Sequence, residues 1–315
     1  MLSVNSLNVI LDNKKNFFHI LRDVSLNMER GEILGIGGES GSGKTVFAKT
    51  LMGLISNPVK RESGEIILDG EPLFRENSFR RIRGKKLSMI FQNPTASLNP
   101  VIKIGDQLVE AIRTADRGIS KTDAHKKASE LLKTVEIQYP EERMNSYPHQ
   151  LSGGMNQRVM TAMALASEPE LLIADEPTTA LDVTIQKQIM ELLLKLNRER
   201  DLSILFISHD IALMQQVAHR CIIMYAGEVM EEIDSKELTE NRMRHPYTYS
   251  LKRCIPSLES EEKELYTIPG TIVKNTEDYS ERCIFAERCF NRIDKCTKSK
   301  PELSLNRPFR CHNPL

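Results

Sequence analysis

The sequence contains no uninterrupted apolar run that approaches the roughly 18 residues of a transmembrane helix. It has no excess of charge of one sign either, because Lys and Arg together number 43 and Asp and Glu together also number 43. Its first residues lack the basic start and the small-residue cleavage site of a signal peptide. We therefore expect a soluble protein that stays in the cytoplasm, and the net charge favours neither nucleic acid nor an anionic membrane as partner.

Internal repeats and low-complexity tracts are also missing. What the sequence does have is length and apolar content, since 315 residues, 40 % of them hydrophobic, suffice for one large domain or two modest ones. Short apolar runs typical of strands buried on both faces are GEILGI, LSMIF, LLIAD, SILFIS and RCIIMYAGEV. Helical patterns lie between them, so the sequence predicts an α/β fold with a mostly parallel sheet.

Two segments depart from this alternation. The strand pattern disappears from about Gln92 to Tyr147, and we predict a helical insert at about residues 93–158. Regular periodicity ends after about Asp234, which predicts a first domain over residues 1–235 and a small irregular extension over residues 236–315. In the insert, one apolar helix face is predicted to contain Ala124, Ala128, Leu131, Leu132 and Val135.

The stretch GESGSGKT, residues 38–45, has the spacing of a phosphate-binding loop. Glycines let backbone N–H groups turn toward phosphates, Lys44 reaches the β- and γ-phosphates, and the Thr45 hydroxyl ligates Mg²⁺. The alternative is a chance Gly/Ser turn, which the strand before and the helix after disfavour. The predicted ATP-binding residues here are Gly38, Glu39, Ser40, Gly41, Ser42, Gly43, Lys44, Thr45 and Val46.

The run LLIADEP is an apolar strand that ends in two carboxylates. By itself such a run is usually only a strand end, but here it follows a phosphate loop. Asp175 is predicted to hold the hydration shell of magnesium, and Glu176 is predicted to polarise the attacking water.

A further motif is LSGGMNQR, residues 151–158. Along the chain the motifs follow one another in the order ESGSGKT, FQNP, LSGGMNQR, ADEPTTALD and ISHD. In this order the motifs resemble the ATP-binding subunits of ATP-binding cassette (ABC) transporters. The resemblance implies a P-loop NTPase (RecA-like) core, an antiparallel β subdomain and a helical subdomain, with ATP and Mg²⁺ as cofactors. It implies that Gln92 links magnesium and the nucleophile to the membrane partner, that His209 contacts the γ-phosphate, and that Asp182 lies at the dimer contact. The signature residues that would act across that dimer are Ser152, Gly153, Gly154 and Gln157.

Two positions depart from the family pattern. Asn156 stands where a basic residue is usual, which alters contacts near the signature without removing its serine. Leu11 stands where an aromatic ring normally stacks on adenine. Either Phe17 or Phe18 replaces that ring, or adenine rests on an aliphatic surface and both are core residues.

The segments NPTASLNPVIKIGDQLVE, HPYTYSLKRCIPSLE and IPGTIV resemble the ATP-binding subunits of dipeptide and oligopeptide importers that carry a C-terminal extension. The resemblance implies an ATPase that energises peptide import; importers of nickel or metal chelates belong to the same branch and remain an alternative. The implied partners are a second, homologous ATPase subunit, two transmembrane permease subunits and an extracytoplasmic binding protein. The chain would lie at the cytoplasmic face of the membrane. A soluble ATPase acting on nucleic acid or ribosomes is disfavoured by the neutral charge and the extension.

Four of the six cysteines crowd the last 33 residues, namely Cys283, Cys289, Cys296 and Cys311. In a reducing compartment such a group suggests metal rather than disulfides, and its spacing alone allows zinc, an iron–sulfur cluster or free thiols. The resemblance implies a four-iron, four-sulfur cluster. Neighbouring cations are expected to offset the thiolate charge, namely Arg282, Arg288, Arg292 and Lys295.

Overall fold

The computed structural model describes residues 1–13, 17–75, 78–93, 97–179, 181–255, 266–272, 281–303 and 307–315. The chain forms two compact units, of which the first joins Met1–Arg75 to Phe206–Leu315 and the second is Glu76–Leu205. The extension therefore belongs to the same unit as the first strands, and the predicted division at residue 235 stays a prediction. In the described part of the chain, no helix is both long and apolar enough to cross a membrane.

The strands and helices alternate along much of the chain. The strands are β1 (Leu2–Asp12), β2 (Phe17–Met28), β3 (Ile33–Gly37), β4 (Val59–Leu68), β5 (Glu71–Pro72), β6 (Leu87–Ile90), β7 (Leu171–Asp175), β8 (Ser203–Ile207), β9 (Arg220–Tyr225) and β10 (Glu228–Asp234). The helices are α1 (Lys44–Leu51), α2 (Ser78–Ile82), α3 (Ile104–Ala115), α4 (Lys121–Thr134), α5 (Pro140–Arg143), α6 (Gly153–Leu165), α7 (Val183–Arg200), α8 (Ile211–Val217), α9 (Ser235–Thr239) and α10 (Pro246–Arg253).

The first unit contains an antiparallel sheet in the order β2-β1-β4-β5. Along β1 the buried face changes between Val4 and Leu7, where the pairing with both neighbouring strands shifts register. Because this bulge interrupts the alternation of buried and exposed side chains, the strand does not show a strict period of two. The sheet is the antiparallel β part of the predicted fold.

The same unit contains strands in the order β10-β9-β3, with β3 and β9 parallel. All five residues of β3 are buried, as in a strand covered on both faces. Strand β9 turns back into antiparallel β10 through Ala226 and Gly227, whose φ angles are 45° and 86°. The apolar run RCIIMYAGEV thus forms two strands rather than one, because two successive left-handed residues make a tight hairpin.

The second unit contains the parallel pair β6 and β7 and most of the helices. Helix α4 begins after Ser120, whose Oγ accepts a hydrogen bond from the N–H of Asp123 at 3.1 Å. Its predicted apolar face is buried throughout. The predicted insert corresponds to α3 to α5 and the start of α6, which continues beyond residue 158 to Leu165.

Candidate functional site

The predicted phosphate-binding loop lies between β3 and α1 in the first unit. Gly38, Gly41 and Gly43 have φ angles of 145°, 85° and 100°, a region that favours glycine. At Gly38 a side chain would collide with the carbonyl oxygen of Met224, and at Gly43 it would approach Leu21 to 2.8 Å. The loop follows a path that only glycine allows and leads into the N-terminus of α1, as an anion-binding loop requires.

The ammonium of Lys44 rests on oxygen atoms of this loop. Nζ donates to the carbonyl oxygens of Gly38 at 2.7 Å and Glu39 at 3.0 Å, and it lies 3.4 Å from Oγ of Ser42. Only 5 % of Lys44 is exposed. In this structure the loop itself supplies acceptors for the Lys44 ammonium and holds it in place. The other predicted ligands are half-buried or exposed, namely Ser40, Thr45 and Val46.

The two predicted carboxylates lie at the end of β7 in the second unit. Asp175 is 2 % exposed, and Glu176 follows it with a φ of 47°. Oε2 of Glu176 accepts hydrogen bonds from Nε2 of Gln92 at 2.8 Å and from Oγ1 of Thr179 at 2.9 Å. The structure therefore brings Gln92 and Glu176 together. Thr179 was not predicted, although its position three residues after Glu176, within one turn, is the signal that could have indicated it.

The signature motif begins with an exposed serine at the N-terminus of α6. Oγ of Ser152 accepts a hydrogen bond from the N–H of Met155 at 3.3 Å and thereby caps the helix. Ser152 and Gly153 are both exposed. Their contact with a partner subunit stays a prediction.

The following signature residues are buried within the second unit. A Cβ at Gly154 would lie 2.6 Å from Cγ2 of Ile185, so the glycine permits α6 to approach α7. Gln157 is 2 % exposed. Asn156 is buried as well, and its Nδ2 donates to the carbonyl of Pro148 at 3.0 Å, which explains an amide at this position. These contacts show packing inside the subunit, and the predicted role of Gly154 and Gln157 across a dimer stays untested.

Asp182 and His209 each lie beside the start of a helix in their own unit. Oδ1 of Asp182 accepts from the N–H of Ile185 at 3.0 Å and caps α7. His209 is exposed and precedes Asp210, the residue that caps α8. Their predicted contacts with the dimer partner and the γ-phosphate stay predictions.

Phe18 lies beside the position at which the family usually has an aromatic ring. The register of β1 and β2 places Phe18 opposite Leu11 and Phe17 opposite Asp12. Side chains of directly opposed residues are neighbours on one face of a sheet, so the ring of Phe18 lies next to the Leu11 side chain. Phe17 is 46 % exposed. This geometry favours Phe18 over Phe17 as the replacement for the missing ring, and stacking on adenine stays a prediction.

The last four cysteines of the chain are near one another in the first unit. The N–H of Cys283 donates to the carbonyl of Cys296 at 3.0 Å. Burial raises the pKa of Cys283 to about 12 and that of Cys311 to about 11, and the neighbouring thiols add to both rises. However, the described residues include no group of three or more His, Cys, Asp or Glu side chains that could hold a metal ion. The structure thus gives no support to zinc or to the iron–sulfur cluster at these thiols.

Arg288 does not balance thiolate charge as predicted. Its guanidinium forms a two-point salt bridge with the Glu39 carboxylate, with N–O distances of 2.8 Å and 3.0 Å. The charge of Arg292, by contrast, favours the thiolate of Cys289, although burial raises the pKa of that thiol overall. An arginine next to a cysteine in sequence thus contacts the phosphate loop.

Comparison with known proteins is consistent with the motifs. Residues 21–179 match the profile of the ABC transporter family, and residues 230–296 match "Oligopeptide/dipeptide transporter, C-terminal region". The chain is 42 % identical over 320 residues to the dipeptide transport ATP-binding protein DppD of Escherichia coli (strain K12), covering 100 % of this chain and 97 % of that protein. It is 49 % identical over 257 residues to the oligopeptide transport ATP-binding protein OppD of Bacillus subtilis (strain 168), covering 80 % and 71 %.

A solved structure of similar fold is the ATP-binding cassette MJ0796, a dimer in a post-hydrolysis state bound to ADP and Pi. The TM-score is 0.67 and the identity 32 %, covering 75 % of this chain and 99 % of that one. The predicted α/β cassette fold is thereby confirmed.

Proposed function

This chain belongs to the ABC transporter family of ATPases, and we propose that the transporter it energises imports di- or oligopeptides. The observation that carries the proposal is the full-length similarity to a dipeptide transport subunit, which includes the extension. The extension also has its own match to the C-terminal region of peptide transporters. A match confined to residues 21–179 would identify the family without indicating a cargo.

In the first unit, we assign the phosphates of ATP to the loop of residues 38–45. Its N–H groups and the Lys44 ammonium bind the phosphate oxygens, and the Thr45 hydroxyl is a ligand for magnesium. His209 contacts the γ-phosphate, and Phe18 supplies an aromatic surface for adenine. The glycine-dependent path of the loop and the buried position of Lys44 support these roles.

In the second unit, Glu176 polarises the attacking water, while Asp175 and Gln92 contribute to magnesium binding. Carboxylate and amide oxygens are donors that magnesium prefers, and the bound metal neutralises phosphate charge. The hydrogen bonds from Gln92 and Thr179 fix the orientation of the Glu176 carboxylate. A base held in one orientation removes a proton more efficiently than one that must first be ordered.

The exposed signature residues Ser152 and Gly153 complete the ATP site of a second, homologous ATPase subunit. The dimeric state of the similar cassette MJ0796 supports this arrangement. The pair would bind two transmembrane permease subunits at the cytoplasmic face of the membrane and depend on an extracytoplasmic binding protein for peptide. This chain need not contact the peptide, since its contribution is ATP-driven closure and reopening.

We also propose that the four cysteines bind a four-iron, four-sulfur cluster. A single zinc ion draws four thiolates to about 2.3 Å from one centre, whereas a cluster places several iron and sulfide ions between them. This proposal rests on the resemblance of the cysteine pattern to that of the peptide importers that carry a C-terminal extension. Anaerobically purified protein should be brown and contain iron and sulfide in about equal amounts. One tightly bound zinc, or four titratable thiols without metal, would contradict the cluster.

Transport in proteoliposomes tests the cargo. The complete transporter is reconstituted with the unaltered chain or with Glu176→Gln, and ATP-dependent uptake of a labelled dipeptide, a labelled pentapeptide and Ni²⁺ is measured. We expect peptide uptake that the substitution abolishes. Uptake of Ni²⁺ without peptide uptake, or ATPase activity stimulated by RNA or DNA rather than by peptide and binding protein, would refute the proposal.

A further inference from the structure

Glu39, the second residue of the phosphate loop, is bound by the extension through both its side chain and its main chain. Arg288 holds the Glu39 carboxylate at two points, with Nη1–Oε2 and Nη2–Oε1 distances of 2.8 Å and 3.0 Å. The N–H of Glu39 donates to the hydroxyl of Tyr247 at 3.0 Å. Two residues that are distant in sequence thus converge on one residue of the loop.

Both of these contacts come from groups that are themselves fixed. Arg288 is 7 % exposed, and its Nε donates to the carbonyl of Pro269 at 2.7 Å. Tyr247 is fully buried in an aromatic cluster with Tyr225 and Phe285, with ring centroids 4.9–5.2 Å apart. A planar guanidinium bound at two points to a carboxylate restricts direction as well as distance.

From Glu39 the contacts continue to the residue that binds phosphate. The carbonyl of Glu39 accepts from Lys44 Nζ at 3.0 Å and from the N–H of Ser42 at 3.1 Å. A displacement of Glu39 would therefore move an oxygen that positions the Lys44 ammonium. A continuous series of hydrogen bonds leads from Arg288 and Tyr247 to Lys44.

We propose that Arg288 is a positioning residue for ATP binding, which holds the phosphate loop in its binding conformation through Glu39. This inference rests on the proposed ATPase function and adds a role for the extension in it. Tyr247 assists by holding the N–H of the same residue. The extension is thus a structural part of the ATP site of its own subunit.

The cysteine group shares its backbone with this contact. Arg288 ends the short 3₁₀ helix Ala286–Arg288 and immediately precedes Cys289, while Cys283 is joined by its N–H to Cys296. Folding of the cysteine group therefore also places Arg288. A disordered extension would release Glu39.

The test measures KM for ATP and kcat of the assembled transporter carrying the full chain. Arg288→Ala should raise KM about tenfold and change kcat less than twofold, because the loop is loosened but Glu176 and its neighbours are untouched. Arg288→Lys keeps the charge without the two-point contact and should give an intermediate KM. Glu39→Gln should also raise KM. The double variant, Arg288→Ala with Glu39→Gln, should have a KM no higher than that of the single variant with the higher KM, because both changes break the same contact.

Arg310→Ala is the matched control. Arg310 is also a buried arginine of the extension, 6 % exposed, but its salt bridge goes to Asp23 at 2.9 Å. We expect a similar loss of thermal stability and an unchanged KM for ATP. The inference would be overturned if Arg288→Ala left KM unchanged or if Arg310→Ala raised KM equally. It would also be overturned if the fold-changes in KM of the two single variants multiplied in the double variant. If the unaltered transporter hydrolysed no ATP, the proposed function would fail instead.

Discussion

Acidification should destabilise the first unit through one buried histidine. His245 is 1 % exposed and caps α10, where its Nδ1 accepts a hydrogen bond from the N–H of Tyr247 at 3.0 Å. Burial lowers the pKa of His245 from 6.5 to about 3, although a hydrogen bond with the backbone of Arg310 opposes the change. The Glu231 carboxylate is also close, because it accepts from the N–H of His245 at 3.2 Å. The folded protein therefore keeps this imidazole neutral.

The size of the effect follows from the difference between the folded and unfolded pKa. Below pH 6.5 the unfolded chain binds a proton at His245, and the folded chain does not until about pH 3. The stabilisation is therefore complete above pH 6.5 and is lost as the pH falls. Each pH unit in this interval costs about 1.36 kcal/mol. Acidification from neutral pH to pH 4.5, two units below the unfolded pKa, thus removes about 2.7 kcal/mol from the free energy of unfolding.

His245→Asn isolates this contribution. Asparagine keeps a side-chain acceptor for the helix cap but does not titrate. Urea unfolding of the full chain, followed by tyrosine fluorescence at pH 7 and 4.5, gives the loss of stability for each protein. The unaltered protein should lose about 2.7 kcal/mol more than the variant, since the carboxylates titrate alike in both. Equal losses would refute the assignment of a neutral, buried His245.

The other predictions concern the ATP cycle and the cysteines. Glu176→Gln should lower ATP turnover about 10²-fold or more in the assembled transporter while ATP still binds, and near-normal turnover would contradict its role as the base. Lys44→Ala should weaken ATP binding to the isolated chain, measured by titration calorimetry, whereas Ser152→Ala should leave that binding intact and impair hydrolysis only in the assembled pair. Cys289→Ser should bleach anaerobically purified protein and raise KM for ATP through the neighbouring arginine; Cys221→Ser should do neither, and retained colour in the first or bleaching in the second would contradict the cluster assignment.

Much of the fold could be predicted because burial leaves local patterns. Runs such as GEILGI and LLIAD form buried strands, and the apolar spacing in α4 identified its inner face. The hairpin at Ala226 and Gly227 was missed, because an apolar run shows burial but not the φ angles that reverse the chain. The extension and the first strands form one compact unit through contacts between segments that are distant in sequence, and a single sequence does not show such contacts.

Candidate site residues could be predicted where they are close together in sequence. Contacts between residues that are far apart in sequence could not. The phosphate loop and the two carboxylates form contiguous motifs, and the order of motifs pointed to Gln92, which the structure places against Glu176. The pair of Arg288 and Glu39 spans 249 positions and leaves no local pattern. Its adjacency to Cys289 suggested charge compensation there, an interpretation that the salt bridge corrects.

The outer edge of β10 affects how variants with substitutions in the extension should be assayed. Residues 308–310 lie along this edge, where the N–H of Glu232 donates to the carbonyl of Pro308 and the N–H of Arg310 donates to that of Met230, each at 2.7 Å. An uncovered edge strand offers its N–H and C=O groups to other chains. Substitutions that loosen the extension will therefore bare a surface prone to aggregation, so activity losses in such variants must be measured on monodisperse protein.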